Sequence, residues 1–155
     1  MSFSTAYLTP RETSVWELRR RRKTQSEIGR LLGFSRQASH HALELIDVKV
    51  ERAFEEAAST NGLEVKRIDL VEGIMEAYSP GHKLPVFVSL SRANGLRVWY
   101  MHESECKTCP YEKGCRSFLE REAAERDIDL GEKDIDQPPT QLVLTIIGRY
   151  LGGQS

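Results

Sequence analysis

The sequence predicts an α+β protein in which helices precede a small antiparallel sheet and further helices follow it. Apolar residues recur with helical spacing from residue 10 to about residue 60. Between residues 63 and 102 the pattern changes to short segments rich in β-branched and aromatic residues, which is typical of strands. Helical spacing returns after Cys115. We therefore expect two domains, residues 1–60 and residues 61–155.

The first two helices are predicted from the signals at their ends. Pro10 suits a first helical turn, because the N–H that proline lacks would have no partner there. That helix continues into the basic run from Arg19 to Lys23. Thr24 and Glu27 have the T-x-x-E spacing of a capping box, which marks the start of a second helix. Gly33 ends the second helix, since glycine readily adopts the left-handed conformation found after a helix.

The third helix is predicted to be long. Ser35 can cap its first turn and no turn signal follows before Asn61-Gly62, so we expect a helix from Ser35 to about Thr60. Its apolar residues have the 3-4-3-4 spacing of a heptad stripe, which packs on its own domain or forms a seam between two chains. They are Leu43, Ile46, Val50, Ala53 and Ala57.

Three or four antiparallel strands are predicted from the segments "LEVKRIDLV", "GIMEAYS", "PVFVSLS" and "GLRVWYMH". Between the last two lies Asn94-Gly95, a strong hairpin signal. The sequence contains no glycine-rich phosphate loop, nucleophile motif or paired-carboxylate set. We therefore expect a scaffold or ligand-sensing sheet, and we predict that the protein is not an enzyme.

Two helices are predicted after the cysteines. The segment "RSFLEREAAERDIDL" has the pattern of an amphipathic, acidic helix, and "DIDQPP" interrupts the chain after it. Thr140 is then expected to cap a second helix, "QLVLTIIGRYL", which has almost no polar face. Such a helix must be buried in a core or in a dimer interface.

The charged residues are unevenly distributed. The chain has 22 Lys/Arg and 23 Asp/Glu, but residues 1–41 hold eight Lys/Arg against three Asp/Glu. A basic segment on a neutral-to-acidic body favours a polyanionic partner for that segment alone. The sequence shows neither a signal-peptide pattern nor an apolar run of about 20 residues, so we expect a cytoplasmic protein without a membrane partner.

The segment "LTPRETSVWELRRRRKTQSEIGRLLGFSRQASHHALELI" resembles a known DNA-binding motif. It is similar to the helix-turn-helix of bacterial sigma-factor region four and of the Tfx-type archaeal regulators. Those families share an L-T-x-R-E-like opening, followed by T/S-x-x-E-I-A-x-x-L-G-x-S. The part "GFSRQAS" also resembles the turn-and-recognition segment G-x-S-R-Q-A-V of many repressors. Gly29 stands where the pattern has Ala, at a cost of about 1 kcal/mol to a helix, and Ser39 stands where a buried Val is usual, so both are expected to weaken packing.

The resemblance, which covers about residues 8–47, implies a sequence-specific transcriptional regulator that binds double-stranded DNA. Arg36 and Gln37 suit the edges of guanine and adenine, and His40 and His41 are expected to face the same groove. Adjacent helical residues point about 100° apart, so the two histidines are interpreted as groove contacts and not as ligands of one metal ion. With the expected phosphate contacts, the predicted DNA-binding set is Arg19, Arg20, Arg21, Arg22, Lys23, Gln25, Arg30, Ser35, Arg36, Gln37, Ser39, His40 and His41.

Two partners besides DNA are expected. A single helix-turn-helix rarely reads enough base pairs alone, so we expect a homodimer. RNA polymerase is a second candidate. The alternative function is a metal-containing interaction module that docks on the transcription machinery, with the amino-terminal helices serving as the docking domain.

All the cysteines lie in "HESECKTCPYEKGC", residues 102–115. Three unconnected thiols are disfavoured because this charged, turn-rich segment offers no apolar site for them. A redox dithiol is disfavoured because the βαβ context is absent. We predict a metal site with Cys106, Cys109 and Cys115 as ligands, and His102 would complete a Cys₃His zinc site.

The spacing C-x₂-C-P-Y-x₃-C also resembles a [4Fe–4S] motif, which we prefer slightly over Zn²⁺. Similar spacings occur in the iron–sulfur nucleases of the RecB family and in auxiliary-cluster domains of some radical enzymes. Those families use a distant fourth cysteine, which this chain lacks, so His102, Glu103, Glu105 or an open iron site must serve. No nuclease carboxylate–lysine set accompanies the cysteines, so that enzymatic activity is not implied.

Overall fold

The structure, a computed structural model, describes residues 8–102 and 112–151. Helices come first, a four-stranded antiparallel sheet follows, and helices end the described chain, so the predicted α+β class and element order are confirmed. The helices pack on both faces of the sheet, which gives a helix–sheet–helix sandwich.

The amino-terminal helices are α1 (Pro10–Arg20), α2 (Gln25–Leu32) and α3 (Arg36–Asn61). Their ends confirm the predicted signals. Thr24 and Glu27 form a complete capping box, and Thr9 forms a second one with Glu12. The left-handed glycines Gly33 and Gly62 end α2 and α3 with φ angles of 79° and 64°.

The sheet is a meander of β1 (Glu64–Asp69), β2 (Ile74–Ser79), β3 (Leu84–Ser91) and β4 (Gly95–Tyr100). Each strand pairs antiparallel with the next one along the chain, and β3 turns into β4 at the predicted Asn94-Gly95 hairpin. Because side chains alternate across a strand, the sheet presents two apolar faces.

The first core lies between the amino-terminal helices and one face of the sheet. Trp16 of α1 is fully buried in it, and the indole Nε1 donates to the Leu70 carbonyl at 3.3 Å. Its ring packs so closely on Gly73 that a Cβ there would lie 2.6 Å away. The core also includes Val88 and Leu90 of β3. It therefore crosses the predicted boundary between residues 60 and 61, and the two predicted domains share it.

The second core lies on the opposite face, where Ile74, Phe87 and Trp99 meet the carboxy-terminal helices. These helices are α4 (Glu112–Glu125), a single turn α5 (Glu132–Ile135) and α6 (Pro139–Leu151).

Two details of the predicted carboxy-terminal helices are wrong. The first helix is predicted over residues 116–130 but spans Glu112–Glu125. Asp127, with a φ of 54°, lies just after its end. Thr140 lies inside α6 and does not cap it, because Pro139 already occupies the first helical position. The expectation that this apolar helix is buried holds for one face, where Leu142, Val143 and Ile146 are almost fully enclosed, whereas Leu144 on the other face is exposed.

A buried polar cluster connects α4 to the sheet. Arg126 donates through Nε to Glu122 Oε2 at 3.0 Å and through Nη1 to the Glu72 carbonyl at 2.6 Å. The other carboxylate oxygen of Glu122 accepts from Ser89 and Asn94. A charged pair at this depth is tolerated because each group has a partner. Across the described residues, no helix has the length and apolarity needed to cross a membrane.

Candidate nucleic-acid interface

Helices α2 and α3 meet at the predicted turn. The Phe34 N–H donates to the Gly29 carbonyl at 2.8 Å, which closes the end of α2 around the left-handed Gly33. Ser35 then accepts from the Ala38 N–H at 3.1 Å and caps α3. With α1 packed on α3, these helices have the helix-turn-helix arrangement that the sequence predicts.

Gly29 is required by this turn, so the expectation that Gly29 weakens the packing is wrong. A Cβ on Gly29 would lie 2.3 Å from the Phe34 carbonyl oxygen and 3.1 Å from Ser39 Oγ. Ser39 is fully buried, and its hydroxyl donates to the Ser35 carbonyl at 3.1 Å. Because Ser39 packs beneath the turn, the prediction that it contacts DNA is wrong.

The recognition segment, which we define as residues 36–41 at the start of α3, presents an exposed polar surface. The side chains of Arg36, Gln37, His40 and His41 are all exposed. A cleft of about 290 Å³ is lined by Arg36, Gln37, His40 and Gln25. These residues, predicted separately to contact bases or phosphates, therefore lie together.

The polar contacts of His40 organise this cleft. Its Nδ1 lies 2.9 Å from the Gln25 amide nitrogen, and its Nε2 lies 3.3 Å from a carboxylate oxygen of Glu44. Gln25 is thereby fixed against the recognition segment, next to Arg36 and Gln37. The Gln25 amide retains its oxygen and one N–H for a base edge, whereas both ring nitrogens of His40 already have partners within the chain.

Arg11 is a further cation at this surface that sequence reasoning missed. Its guanidinium stacks on the Phe34 ring, 4.4 Å from the centroid, directly beside the turn into α3. The side chain is exposed, so it can bind a phosphate while it remains stacked. The arginine in the L-T-x-R-E-like opening was the available signal, but only the fold brings it to the turn.

The basic run at the end of α1 divides into two groups. Arg20 is buried and pairs with Glu125 of α4 at 3.1 Å. The prediction that Arg20 contacts DNA is therefore also wrong. Arg19 is mostly covered and pairs with Asp47 of α3 at 2.7 Å. Arg21, Arg22 and Lys23 remain exposed, as does Arg30 on α2, although Arg22 pairs with Glu72 at 2.7 Å.

A second ion pair fixes α1 to α3. Lys49 Nζ lies 2.7 Å and 2.9 Å from the two carboxylate oxygens of Glu12. Burial opposes ionisation of Glu12, but the bonds from Lys49 and from Thr9 outweigh it, so the pKa of Glu12 is held below its usual value. The capping box and the interhelical contact thus share one carboxylate.

The predicted stripe on α3 is an internal packing face. All five residues are buried within their own chain, and four of them belong to the first core: Leu43, Ile46, Val50 and Ala57, with Ala53 buried beside them. The alternative in which this stripe forms a seam between two chains is therefore wrong. The homodimer itself stays a prediction and needs another surface.

The predicted metal ligands are only partly within the described chain. Cys106 and Cys109 lie outside it, as do Glu103 and Glu105. His102 follows β4 and is exposed. Cys115 lies near the start of α4, half-buried against the second core. Among the residues with described positions, no three histidine, cysteine or acidic side chains form a group able to hold a metal.

No protein-family model, curated protein or solved structure matches this chain. The resemblance to sigma-factor region four and to Tfx-type regulators therefore depends on the motif residues themselves.

Proposed function

We propose that this protein is a sequence-specific DNA-binding transcriptional regulator. The observation that carries the proposal is the exposed cleft at the start of α3, where Arg36, Gln37, His40 and Gln25 lie together beyond a capped, glycine-ended turn. In a helix-turn-helix, this end of the second helix enters the major groove. Arginine and glutamine are the side chains that pair bidentately with guanine and adenine there.

The charges around the cleft support the same function. Arg11, Arg21, Lys23 and Arg30 are exposed on the helices that flank the recognition segment. Cations in such positions bind phosphates and set the orientation of the protein on the duplex without reading sequence. We expect Arg36, Gln37 and His40 to contact base edges and the flanking cations to bind phosphates.

The test begins with selection of binding sites from a random double-stranded DNA library. Affinity for the selected site and for a scrambled site is then measured over a range of salt concentrations. In the double variant Arg36→Ala/Gln37→Ala, we expect discrimination to fall by about 1–3 kcal/mol per lost bidentate contact, while non-specific binding persists. Arg21→Ala should instead weaken binding to both sites and reduce the salt slope by about 1.

The matched control is Arg121→Ala, which removes an exposed arginine from α4, on the opposite side of the sheet. It should leave both affinities unchanged. If no sequence is enriched, or if the double variant binds DNA like the parent protein, the proposal is contradicted. The alternative of a docking module for the transcription machinery would then be favoured.

We also propose that the carboxy-terminal module binds a metal, as a [4Fe–4S] cluster or Zn²⁺, through Cys106, Cys109, Cys115 and His102. The support is the cysteine spacing and the position of the described ligands: His102 follows β4 and Cys115 lies in the first turn of α4. Thiolate and imidazole are suitable donors for either group. When bound, the group would join the end of the sheet to α4 as a structural or sensing centre.

Metal analysis of anaerobically purified protein tests this. Brown protein with stoichiometric iron and sulfide indicates a cluster, and colourless protein with stoichiometric zinc indicates a zinc site. The variant Cys109→Ser should lose the metal. Protein that contains neither metal would contradict the proposal and leave the DNA-binding proposal intact.

A further inference from the structure

The outer face of α3 is apolar at its centre although it packs on nothing in the described chain. We define this face as the side chains opposite the buried stripe: His41, Glu44, Leu45, Val48, Arg52 and Glu55. Leu45 and Val48, one turn apart, have 47% and 55% of their surface exposed, and they belong to the few large apolar side chains left in solvent. We propose that this face joins two copies of the chain about a two-fold axis at Val48, with the two α3 helices antiparallel.

The charges on this face are complementary to those of a second copy. In an antiparallel pair centred on Val48, Glu44 of one copy lies opposite Arg52 of the other, and His41 lies opposite Glu55. Within the described chain, neither Arg52 nor Glu55 forms an ion pair. A parallel pair would instead place Glu44 on Glu44 and Arg52 on Arg52, so the charge pattern selects the antiparallel arrangement.

The face is also oriented correctly for a dimer on DNA. At about 100° per residue, Arg36 and His40 are turned by about a quarter to a third of a turn from Val48, and Ile46 is nearly opposite it. Gln37 lies within about 20° of the direction of Val48 but about 16 Å along the helix from it. A two-fold axis through Val48 can therefore point at the duplex with Arg36 and His40 uncovered, while Gln37 and His41 lie at the end of the interface.

The distance between the two recognition segments fits the DNA repeat. They lie about ten residues from Val48, so at roughly 1.5 Å per residue their separation across the axis is about 30 Å. Successive major grooves on one side of B-DNA lie about 34 Å apart. This part of the inference depends on the proposed function and predicts an inverted-repeat site with half-sites one helical turn apart.

The experiment measures the oligomeric state of the full chain by sedimentation equilibrium without DNA. Its result therefore does not depend on whether the protein binds DNA. The parent protein should be a reversible dimer, and Val48→Glu should shift it toward monomer by at least roughly tenfold in Kd. Val65→Glu is the matched control, because Val65 is also an exposed valine, at 44%, but lies on β1. It should leave the dimer unchanged.

A charge exchange tests the antiparallel pairing. Glu44→Arg and Arg52→Glu should each weaken the dimer, since each places like charges opposite one another. The double variant Glu44→Arg/Arg52→Glu should restore it to within a few fold of the parent. A monomeric parent, a dimer that tolerates Val48→Glu, or a double variant no better than the single ones would overturn the inference.

Discussion

The helices on both faces of the sheet pack through apolar cores, but different polar contacts fix them there. On the amino-terminal side, α1, α2 and α3 pack through a continuous apolar core, and their ends are fixed by caps between residues three positions apart, as in Thr24 and Glu27. On the carboxy-terminal side, Glu122 of α4 and Arg126, which directly follows α4, form buried hydrogen bonds with Ser89 and with the Glu72 carbonyl. The helix ends on the first side are specified by local sequence, whereas the attachment of α4 on the second side depends on contacts between distant segments.

This difference explains where sequence and structure agree. Caps, turns and apolar spacing are local, so the bounds of α2 and the end of α3 at Gly62 follow from the sequence. The Arg126–Glu72 contact joins residues 54 positions apart and has no local signal. It depends on how the sheet and α4 meet, which no spacing in the sequence encodes.

The largest effect is expected where the carboxy-terminal side depends on one buried cation. Arg126→Met should destabilise the protein by about 3–5 kcal/mol, because it leaves the buried Glu122 carboxylate without its charged partner. Chemical denaturation measures the change. Arg121→Met, on the exposed side of α4, should lower the free energy of unfolding by less than about 1 kcal/mol. Equal costs for the two variants would show that the buried cluster is not what holds α4.

A smaller effect is expected at the tightest contact of the amino-terminal side. Gly29→Ala should destabilise by about 1–3 kcal/mol, since the added methyl group would meet the Phe34 carbonyl oxygen at 2.3 Å. Gly148→Ala is the matched control, because a Cβ on this helical glycine of α6 would meet nothing within 4 Å. It should stabilise by up to about 1 kcal/mol. Thermal unfolding of both variants checks the opposite signs, and stabilisation by Gly29→Ala would contradict the described turn.

The smallest effect concerns the ion pair between α1 and α3. The pKa of Glu12 is lower in the folded chain than its ordinary 4.5, so its ionisation adds stability above that pH. The contribution is lost as the pH falls through the lower, folded value. Lys49→Met should therefore cost up to about 1 kcal/mol near neutral pH and less in acid.

Denaturation of the parent and of Lys49→Met at about pH 7 and about pH 3 measures this difference. Lys66→Met, which removes an exposed partner of Glu64 on β1, should show little dependence on pH. A cost for Lys49→Met that is the same at both pH values would mean that the charge of Glu12 does not contribute.

The candidate interface was predicted in outline and corrected in detail. The exposure of Arg36, Gln37, His40 and His41 agrees with the expected groove-facing positions. The burial of Ser39 and Arg20 could not be predicted, because it depends on the close approach of α2 to α3 and on the arrival of α4 beside α1. The position of Arg11 on Phe34 was missed for the same reason.

The order of the elements along the chain has a consequence for folding during synthesis on the ribosome. The buried residues of the first core all lie between Leu8 and Leu90, and its half-buried neighbours end at Tyr100. The meander pairs only consecutive strands, and such short-range contacts form early. The helix-turn-helix and its supporting sheet face can therefore close as soon as Tyr100 has left the ribosome, before the residues that follow it emerge. The Arg20–Glu125 pair, which spans 105 positions, can form only after α4 has emerged.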